Sequence, residues 1–177
     1  MIKSFKGKKP EISNSAFIAE NSVIIGDVKI GDNASIWYGV TLRGDINRIV
    51  VGNGTNIQEG TVVHVDKCVP GKDGHGNTII GNNVTIGHGA IIHACEIGDN
   101  SLIGMSATVL SGAKISENSL VAAGSLVREG QEFPPGAFIA GNPAIQKKCL
   151  SPEQINKLKE SAENYSILAA EYLKAGN

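Results

Sequence analysis

The stretch that decides the fold is residues 97–127, IGDNSLIGMSATVLSGAKISENSLVAAGSLV, because an aliphatic residue stands at every sixth position. These positions are Ile97, Ile103, Val109, Ile115, Val121 and Val127. A period of six fits neither the 3.6-residue period of an amphipathic helix nor the two-residue alternation of a simple strand. It is typical of a parallel β-helix, in which one hexad forms one flat face and three hexads complete a coil.

The same period continues towards the N-terminus, with interruptions. The further aliphatic positions are Ile18, Ile24, Ile30, Ile36 and Leu42, then Val51, Ile57 and Val63, then Ile80, Ile86 and Ile92. A three-residue insertion follows Leu42, a longer glycine-rich interruption follows Val63, and one five-residue step follows Ile92. We therefore expect an all-β fold whose aliphatic side chains point inward and stack on the next coil, about 4.8 Å away.

The C-terminal part departs from the hexads. Residues 129–142, EGQEFPPGAFIAGN, are interpreted as a loop that leaves the last coil. Ser151, Pro152 and Gln154 then predict a helix start with a capping box. An apolar stripe follows at Ile155, Leu158, Ala162, Tyr165, Leu168 and Tyr172. We expect a β-helix domain over residues 1–148 and, within residues 149–177, a helix that packs along the prism.

The charge and hydrophobicity of the sequence exclude some classes of binding partner. The net charge is −1, so no basic surface is expected to attract nucleic acid or an acidic membrane. Residues 1–10 lack the apolar core of a signal peptide, and no run is long enough to span a membrane. Three widely spaced cysteines, Cys68, Cys95 and Cys149, are interpreted as reduced thiols. These features predict a cytoplasmic location, with neither a nucleic acid nor a membrane as partner.

All four histidines lie between positions 64 and 93. Counting hexads places Val63 and Ile92 on the same face of successive coils, so His64 and His93, one position later, point outward in a column. His88 belongs to another face, and a rigid prism cannot bring it round to that column. We expect a threefold assembly of parallel prisms, in which His88 of one subunit completes the site of its neighbour.

Three imidazoles with an open fourth position form the ligand set of a catalytic zinc ion. The alternative is that surface histidines fall in the repeat by accident. Cys95 could be considered as a ligand, but a buried, inert thiol is the favoured interpretation. His75, in the glycine-rich interruption, is expected to be solvated, with proton relay as the alternative.

Polar residues flank the histidines. Arg43 precedes His64 in the predicted column and can pair with Asp45 across Gly44, the alternative being a salt bridge between subunits. Gln58 and Glu59 follow the aliphatic residue of the preceding face. They are placed to orient a metal-bound water and a small anion.

Several motifs together resemble those of the γ-class carbonic anhydrases. They are Arg43-Gly44-Asp45, Asn56-Ile57-Gln58-Glu59, His64-Val65, Ile86-Gly87-His88 followed by His93, and Leu102-Ile103-Gly104-Met105. The resemblance covers nearly the whole chain. It implies a left-handed β-helix, a homotrimer and reversible hydration of CO₂ to bicarbonate. It also implies a Zn²⁺ or Fe²⁺ ion held by His64 and His93 of one subunit and His88 of the next.

The resemblance also implies roles for other residues. Arg43, Asp45 and Gln58 match family positions that support the interface and the bound water or bicarbonate, and Tyr165 resembles a tyrosine near the metal. Glu59 stands where the family usually has an aspartate. Ile46 stands where the active branch has a glutamate, and no glutamate that could shuttle protons is evident after His64.

These differences keep other functions open beside a metal-dependent lyase of the carbonate dehydratase type. A metal-dependent acyl-CoA thioesterase would use the same activated water. A hexapeptide-repeat acyltransferase would use one histidine as a general base and hold coenzyme A between coils. A third alternative is a trimeric metal-binding scaffold without turnover.

Overall fold

The computed structural model describes residues 1–68, 71 and 74–176 of the 177-residue chain. Its first ten strands are β1 (Ile2–Lys3), β2 (Glu11–Ile12), β3 (Phe17–Ile18), β4 (Val23–Ile30), β5 (Ser35–Ile36), β6 (Thr41–Val51), β7 (Asn56–Ile57), β8 (Val62–His64), β9 (Thr78–Ile80) and β10 (Thr85–Ile86). The remaining elements are β11 (Ile91–His93), β12 (Glu96–Ile97), β13 (Leu102–Ile103), β14 (Thr108–Val109), β15 (Lys114–Ile115), β16 (Leu120–Val121), β17 (Leu126–Val127), β18 (Glu132–Phe133), β19 (Ala137–Gly141), β20 (Ala144–Cys149) and the helix α1 (Pro152–Lys174).

The strands form three flat faces of a parallel β-helix of about seven turns. Face 1 contains the first parts of β4 and β6, then β8, β11, β14 and β17. Face 2 contains the last parts of β4 and β6, then β9, β12, β15 and β18. Face 3 contains β3, β5, β7, β10, β13, β16 and β19. The predicted fold class, a left-handed parallel β-helix of hexapeptide repeats with a C-terminal helix, is confirmed.

The hexad positions form the core. Val63 pairs in register with Leu42 below it and with Ile92 above it, and all three side chains are fully buried. Each buried side chain of this size contributes roughly 1.5–3 kcal/mol. The three-residue insertion is absorbed inside β6, and the longer interruption lies between β8 and β9. Neither interruption disturbs the register of the faces.

Asparagines shape the corner between faces 2 and 3. Asn33, Asn83, Asn100 and Asn118 adopt left-handed backbone conformations, with φ between 52° and 58°. Beside them, the backbone N–H of Asn53 donates to Oδ1 of Asn82 (2.9 Å), and the N–H of Asn82 donates to Oδ1 of Asp99 (2.7 Å). Each side chain therefore receives a hydrogen bond from the preceding coil and holds consecutive coils together.

Residues 129–142 are not a loop, so that prediction is wrong. Strand β18 pairs in parallel with β15, and β19 pairs in parallel with β16. Phe133 and Ile139 therefore continue the hexads on faces 2 and 3. Pro134 and Pro135, which lack a backbone N–H, fall between the two strands and do not interrupt either. Strand β20 then reverses and pairs antiparallel with β19 at the end of face 3.

Helix α1 begins as predicted. The N-cap hydroxyl of Ser151 accepts from the N–H of Gln154, and the Gln154 side chain accepts from the N–H of Ser151. The capping box thus satisfies two donors at the helix start. No helix in the described part of the chain is long and apolar enough to cross a membrane.

The helix packs on face 3 through aromatic side chains. The rings of Tyr165 and Tyr172 lie edge-on to Trp37, with centroid distances of 5.5 and 5.2 Å. The predicted apolar stripe is wrong at Leu168, which is 38 % exposed, whereas Ala169 is 5 % exposed. The small side chain of Ala169 packs beside Trp37 in this aromatic cluster.

Candidate metal centre

Three outward side chains of face 1 form a column on successive coils. Arg43 pairs in register with His64, and His64 pairs in register with His93. The column predicted by counting hexads is therefore confirmed, even though the glycine-rich interruption lies between the two histidines. A side chain's place in a parallel β-helix depends on its hexad position and not on its distance along the chain.

The rings of His64 and His93 face each other. Nδ1 of His64 lies 3.2 Å from Nε2 of His93. The other nitrogen of each ring has its own partner: Nε2 of His64 lies 3.1 Å from Oδ1 of Asp45, and Nδ1 of His93 lies 2.9 Å from Oγ of Ser111. Metal-ligating histidines characteristically donate their second ring N–H to such an acceptor, which sets the tautomer and the ring orientation.

Asp45 determines where the proton of His64 lies. An ionised carboxylate can only accept hydrogen bonds, so the neutral His64 ring carries its proton on Nε2 and a lone pair on Nδ1. Burial acts to raise the pKa of Asp45, but hydrogen bonds from His64 and Arg43 outweigh it and lower the pKa. Nη1 of Arg43 lies 2.6 Å from Oδ2 of Asp45, so the predicted Arg43–Asp45 pair forms within one chain.

The facing nitrogens fit a metal ion. With metal–nitrogen bonds of about 2.0–2.1 Å, two ligand nitrogens of a tetrahedral zinc site lie about 3.3 Å apart, close to the 3.2 Å between His64 and His93. Burial, followed by the charge of His64, lowers the pKa of His93, which favours the neutral ring that ligation requires. Imidazole nitrogens suit zinc and iron alike. One chain nevertheless brings together only two of the three predicted ligands.

His88 lies apart from this pair, at the corner between faces 3 and 1. It stands one coil above Glu59, and the N–H of the following Gly89 donates to the carbonyl oxygen of Glu59 (2.9 Å). Nδ1 of His88 is 2.7 Å from Oε2 of Glu59, and the His88 side chain is 44 % exposed. Across the described residues, no single-chain group of three His, Cys, Asp or Glu side chains could hold a metal ion.

The remaining predicted site residues lie around Glu59, and we call Gln58, Glu59, His88 and Tyr165 the corner group. Gln58 is buried, and its Nε2 donates to Oδ1 of Asn56 (3.0 Å). Burial, followed by the negative charge of Glu59, raises the pKa of Tyr165, so its phenol stays protonated at neutral pH. The predicted residues thus divide between the His64–His93 column and the corner group.

Two residues beside His93 were not predicted. Ser111 lies two residues after Val109, which pairs with Ile92 on the coil below, and its hydroxyl contacts the His93 ring. Asp66 lies where the glycine-rich interruption begins. Ser111 and Asp66 line one cavity of about 800 Å³ together with His75. Extending the histidine column to the next coil points to Leu110, the residue before Ser111, so the hexad count alone does not identify Ser111.

Two other sequence expectations concern this region. Cys95 is buried, and burial raises the pKa of its thiol to about 12, so it offers no thiolate ligand at neutral pH. His75 is exposed, as expected, and its carbonyl oxygen accepts a hydrogen bond from Asn47 (2.8 Å). Positions 69, 70, 72 and 73 of the predicted 66–77 loop lie outside the described residues.

Known proteins are similar to this chain in sequence and in fold. Residues 9–44 match the family described as bacterial transferase hexapeptide (six repeats). A probable carbonic anhydrase of Methanocaldococcus jannaschii is 51 % identical over 89 % of this chain and 95 % of that protein. The mitochondrial gamma carbonic anhydrase 1 of Arabidopsis thaliana is 48 % identical over 92 % of this chain, which spans only 58 % of that protein's length. The crystal structure of a hexapeptide transferase family protein from Anaplasma phagocytophilum has a TM-score of 0.90 and 46 % identity, with 97 % of each chain covered.

Proposed function

Because the chain belongs to the γ-class carbonic anhydrase family, we propose that it is a metal-dependent lyase that reversibly hydrates CO₂ to bicarbonate. The observation that carries the proposal is the contact of Nδ1 of His64 with Nε2 of His93 at 3.2 Å, with the outer ring nitrogens held by Asp45 and Ser111. A general-base acyltransferase needs one histidine. Catalysis by one general base does not require two imidazoles to be oriented towards a common point.

We propose that His64 and His93 of one subunit and His88 of the next hold a Zn²⁺ or Fe²⁺ ion in a homotrimer. In support, the contact with Glu59 occupies Nδ1 of His88 and leaves Nε2 available on an exposed ring. Two aliphatic side chains beside the histidine column, Val62 and Ile91, are 39 % and 42 % exposed and pair in register. Such neighbouring apolar side chains favour a face that is covered in the assembly.

When bound, the ion supplies Lewis-acid activation of water, whose pKa falls to about 7 in carbonic anhydrase, the example from which that value is taken. The protein's part is to place groups around the ion. Asp45 orients His64, and Arg43 holds Asp45 in place. From the corner group of the neighbouring subunit, the Gln58 amide orients water or bicarbonate, Glu59 holds His88, and Tyr165 donates a hydrogen bond from its protonated phenol.

The test is stopped-flow CO₂ hydration by the full chain, purified anaerobically and reconstituted separately with zinc and with iron. We expect hydration well above that of the metal-free protein with at least one of the two ions. The matched control is Ser116→Ala, a change at the corner between faces 2 and 3, which should keep wild-type activity. Background hydration at full metal occupancy would contradict the proposal.

The same preparations distinguish the alternatives. Acyl-CoA hydrolysis without CO₂ hydration would identify a thioesterase, and acyl transfer that survives complete removal of metal would identify an acyltransferase. Stoichiometric metal without either activity would identify a scaffold. The cytoplasmic location stays a prediction from the sequence.

A further inference from the structure

Met105 is an exposed methionine at the corner where faces 3 and 1 meet, between β13 and β14. Its side chain is 58 % exposed, and it ends one of the motifs that resemble the γ-class family. The N–H of the next residue, Ser106, donates to the carbonyl oxygen of His88 (2.8 Å). Met105 therefore stands one coil above His88, in the same corner column that contains Glu59 one coil below.

Leu110 occupies the corresponding place in the histidine column. It follows Val109 as His93 follows Ile92, and Val109 pairs in register with Ile92. Val109 is fully buried in the core, so the side chain of Leu110, one position later, points outward, and it is half-buried. Leu110 therefore stands one coil above His93.

The two steps up the prism are equal. The number of residues from His88 to Met105 is the same as the number from His93 to Leu110. His88 and His93 lie on one coil, and rotation about a threefold axis parallel to the prisms leaves the height along that axis unchanged. In the proposed trimer, His88 of one subunit meets His93 of its neighbour. Met105 and Leu110 of the same two subunits therefore meet one coil higher, about 4.8 Å away.

The surroundings of the proposed metal site differ between the coil below and the coil above. On the coil below, the column carries His64 with the Asp45 carboxylate 3.1 Å from its ring, and the corner carries Glu59. On the coil above, Met105 and Leu110 offer neither a charge nor a strong hydrogen-bonding group. The site therefore has a polar side and an apolar side.

CO₂ and bicarbonate differ in the same respect. CO₂ has no charge, no net dipole and no hydrogen to donate, so an apolar surface can receive it without leaving a buried polar group unpaired. Bicarbonate is an anion, and its oxygens need hydrogen-bond donors or a cation. We propose that Leu110 of one subunit and Met105 of the next form an apolar wall that binds CO₂ beside the metal. This role rests on the proposed function and adds to it the surface that the neutral substrate contacts.

The first arm of the test detects the contact and needs neither metal nor activity. Full-length chains with Cys68→Ser and Cys149→Ser carry either Met105→Cys or Leu110→Cys, and differently tagged chains are co-expressed to form mixed trimers. A short bis-maleimide should join a Met105→Cys chain to a Leu110→Cys chain, which a denaturing gel shows as a covalent dimer. The matched control uses Ser116→Cys, at the corner between faces 2 and 3, in place of Leu110→Cys and should give single chains.

The second arm measures CO₂ hydration by the metal-loaded protein. Met105→Gln and Leu110→Asn nearly keep the size of the side chain and add an amide. We expect each to raise the KM for CO₂ about tenfold, the scale of a changed contact in an apolar pocket, and to leave kcat nearly unchanged. The KM for bicarbonate in the reverse reaction and the zinc content should also stay unchanged. Met105→Leu, whose side chain is apolar, should behave as the wild type.

The outcomes separate the apolar wall from the proposed function. Mixed trimers without the cross-link, or an unchanged KM for CO₂ in Met105→Gln and Leu110→Asn, would overturn the role of the wall. A Met105→Leu variant as impaired as Met105→Gln would do the same, because polarity would then not be the cause. A wild type that binds metal but hydrates no CO₂ would instead overturn the proposed function, and the cross-link would still decide whether the two side chains meet.

Discussion

The carboxylate of Glu59 lies against the ring of His88, with Oε2 and Nδ1 2.7 Å apart. Oε2 is shielded from solvent, and no hydrogen-bond donor in the described part of the chain is aligned on it. The polar group that contacts Oε2 is the ring of His88. The sequence suggests that Glu59 orients a bound water, whereas the structure places its carboxylate against His88, the ligand that we propose the neighbouring subunit's metal site to receive. The extra methylene of glutamate over aspartate lengthens the reach of the carboxylate towards that ring.

A shared site predicts rescue by mixing two inactive variants. Homotrimers of His88→Ala and of His93→Ala each lack one ligand at every interface and should bind no metal. A trimer that contains both chains has one interface with all three ligands, because its His88→Ala chain supplies His64 and His93 there. Doubly tagged mixed trimers should therefore bind about one ion each, measured by elemental analysis. Mixed trimers without metal would contradict ligation across the interface.

Asp45 should contribute to the acid sensitivity of the metal-free protein. Its pKa is lowered in the folded state, so its contribution to stability is complete above the unfolded pKa of about 3.9 and disappears as pH falls through the folded pKa. Asp45→Asn should lower the free energy of unfolding near neutral pH by about 1 kcal/mol. It should also lose less stability than the wild type on acidification below about pH 4. Urea denaturation over this range measures both effects, and parallel curves would count against the assignment.

Gly104 should tolerate no side chain. A Cβ built there would lie 2.4 Å from the backbone nitrogen of Ala123 on the next coil. At Gly124 a Cβ meets nothing within 4 Å, and the backbone there has φ of +67°. We expect Gly104→Ala to cost about 3 kcal/mol or more, and Gly124→Ala about 1–2 kcal/mol from its left-handed backbone alone. Thermal and denaturant unfolding provide the comparison, and equal losses would refute the explanation by coil spacing.

The cysteines should differ in reactivity. Burial raises the pKa of Cys95 to about 12, so its thiolate fraction near pH 8 is negligible. Cys149 is exposed. Iodoacetamide should therefore alkylate Cys149 in the native protein and reach Cys95 only after unfolding, as read by mass spectrometry of the digested chain. Native labelling of Cys95 at the rate of Cys149 would show that the coil opens at this position.

Hexad counting was enough to predict the fold and the histidine column. The period fixes which side chains point outward and which coil each occupies, so the register of His64 with His93 follows from spacing alone. The same count placed His88 on another face. Whether His88 of a second chain meets the column stays a prediction.

The hexad pattern could not predict contacts that depend on side-chain rotamers or on how the helix α1 docks on the β-helix. The pattern gives the position of Glu59 but not that its carboxylate turns to His88. Helix periodicity alone cannot choose between Leu168 and Ala169, because that choice depends on how closely α1 approaches Trp37. Prolines between β18 and β19 concealed a coil whose inward-facing residues, Phe133 and Ile139, keep the period of six.

The reversal of strand β20 affects whether the end of the β-helix can pair with another molecule. A stack of coils ends in rows of unpaired backbone groups, which can recruit another molecule and grow into a fibre. On face 3, β20 turns back and pairs antiparallel with β19, so the edge offered to an incoming parallel coil is already occupied there. The turn at Gly141 and Pro143 therefore sets the length of the stack on this face. Deleting β20 would leave the edge of β19 unpaired and open to a strand of another molecule.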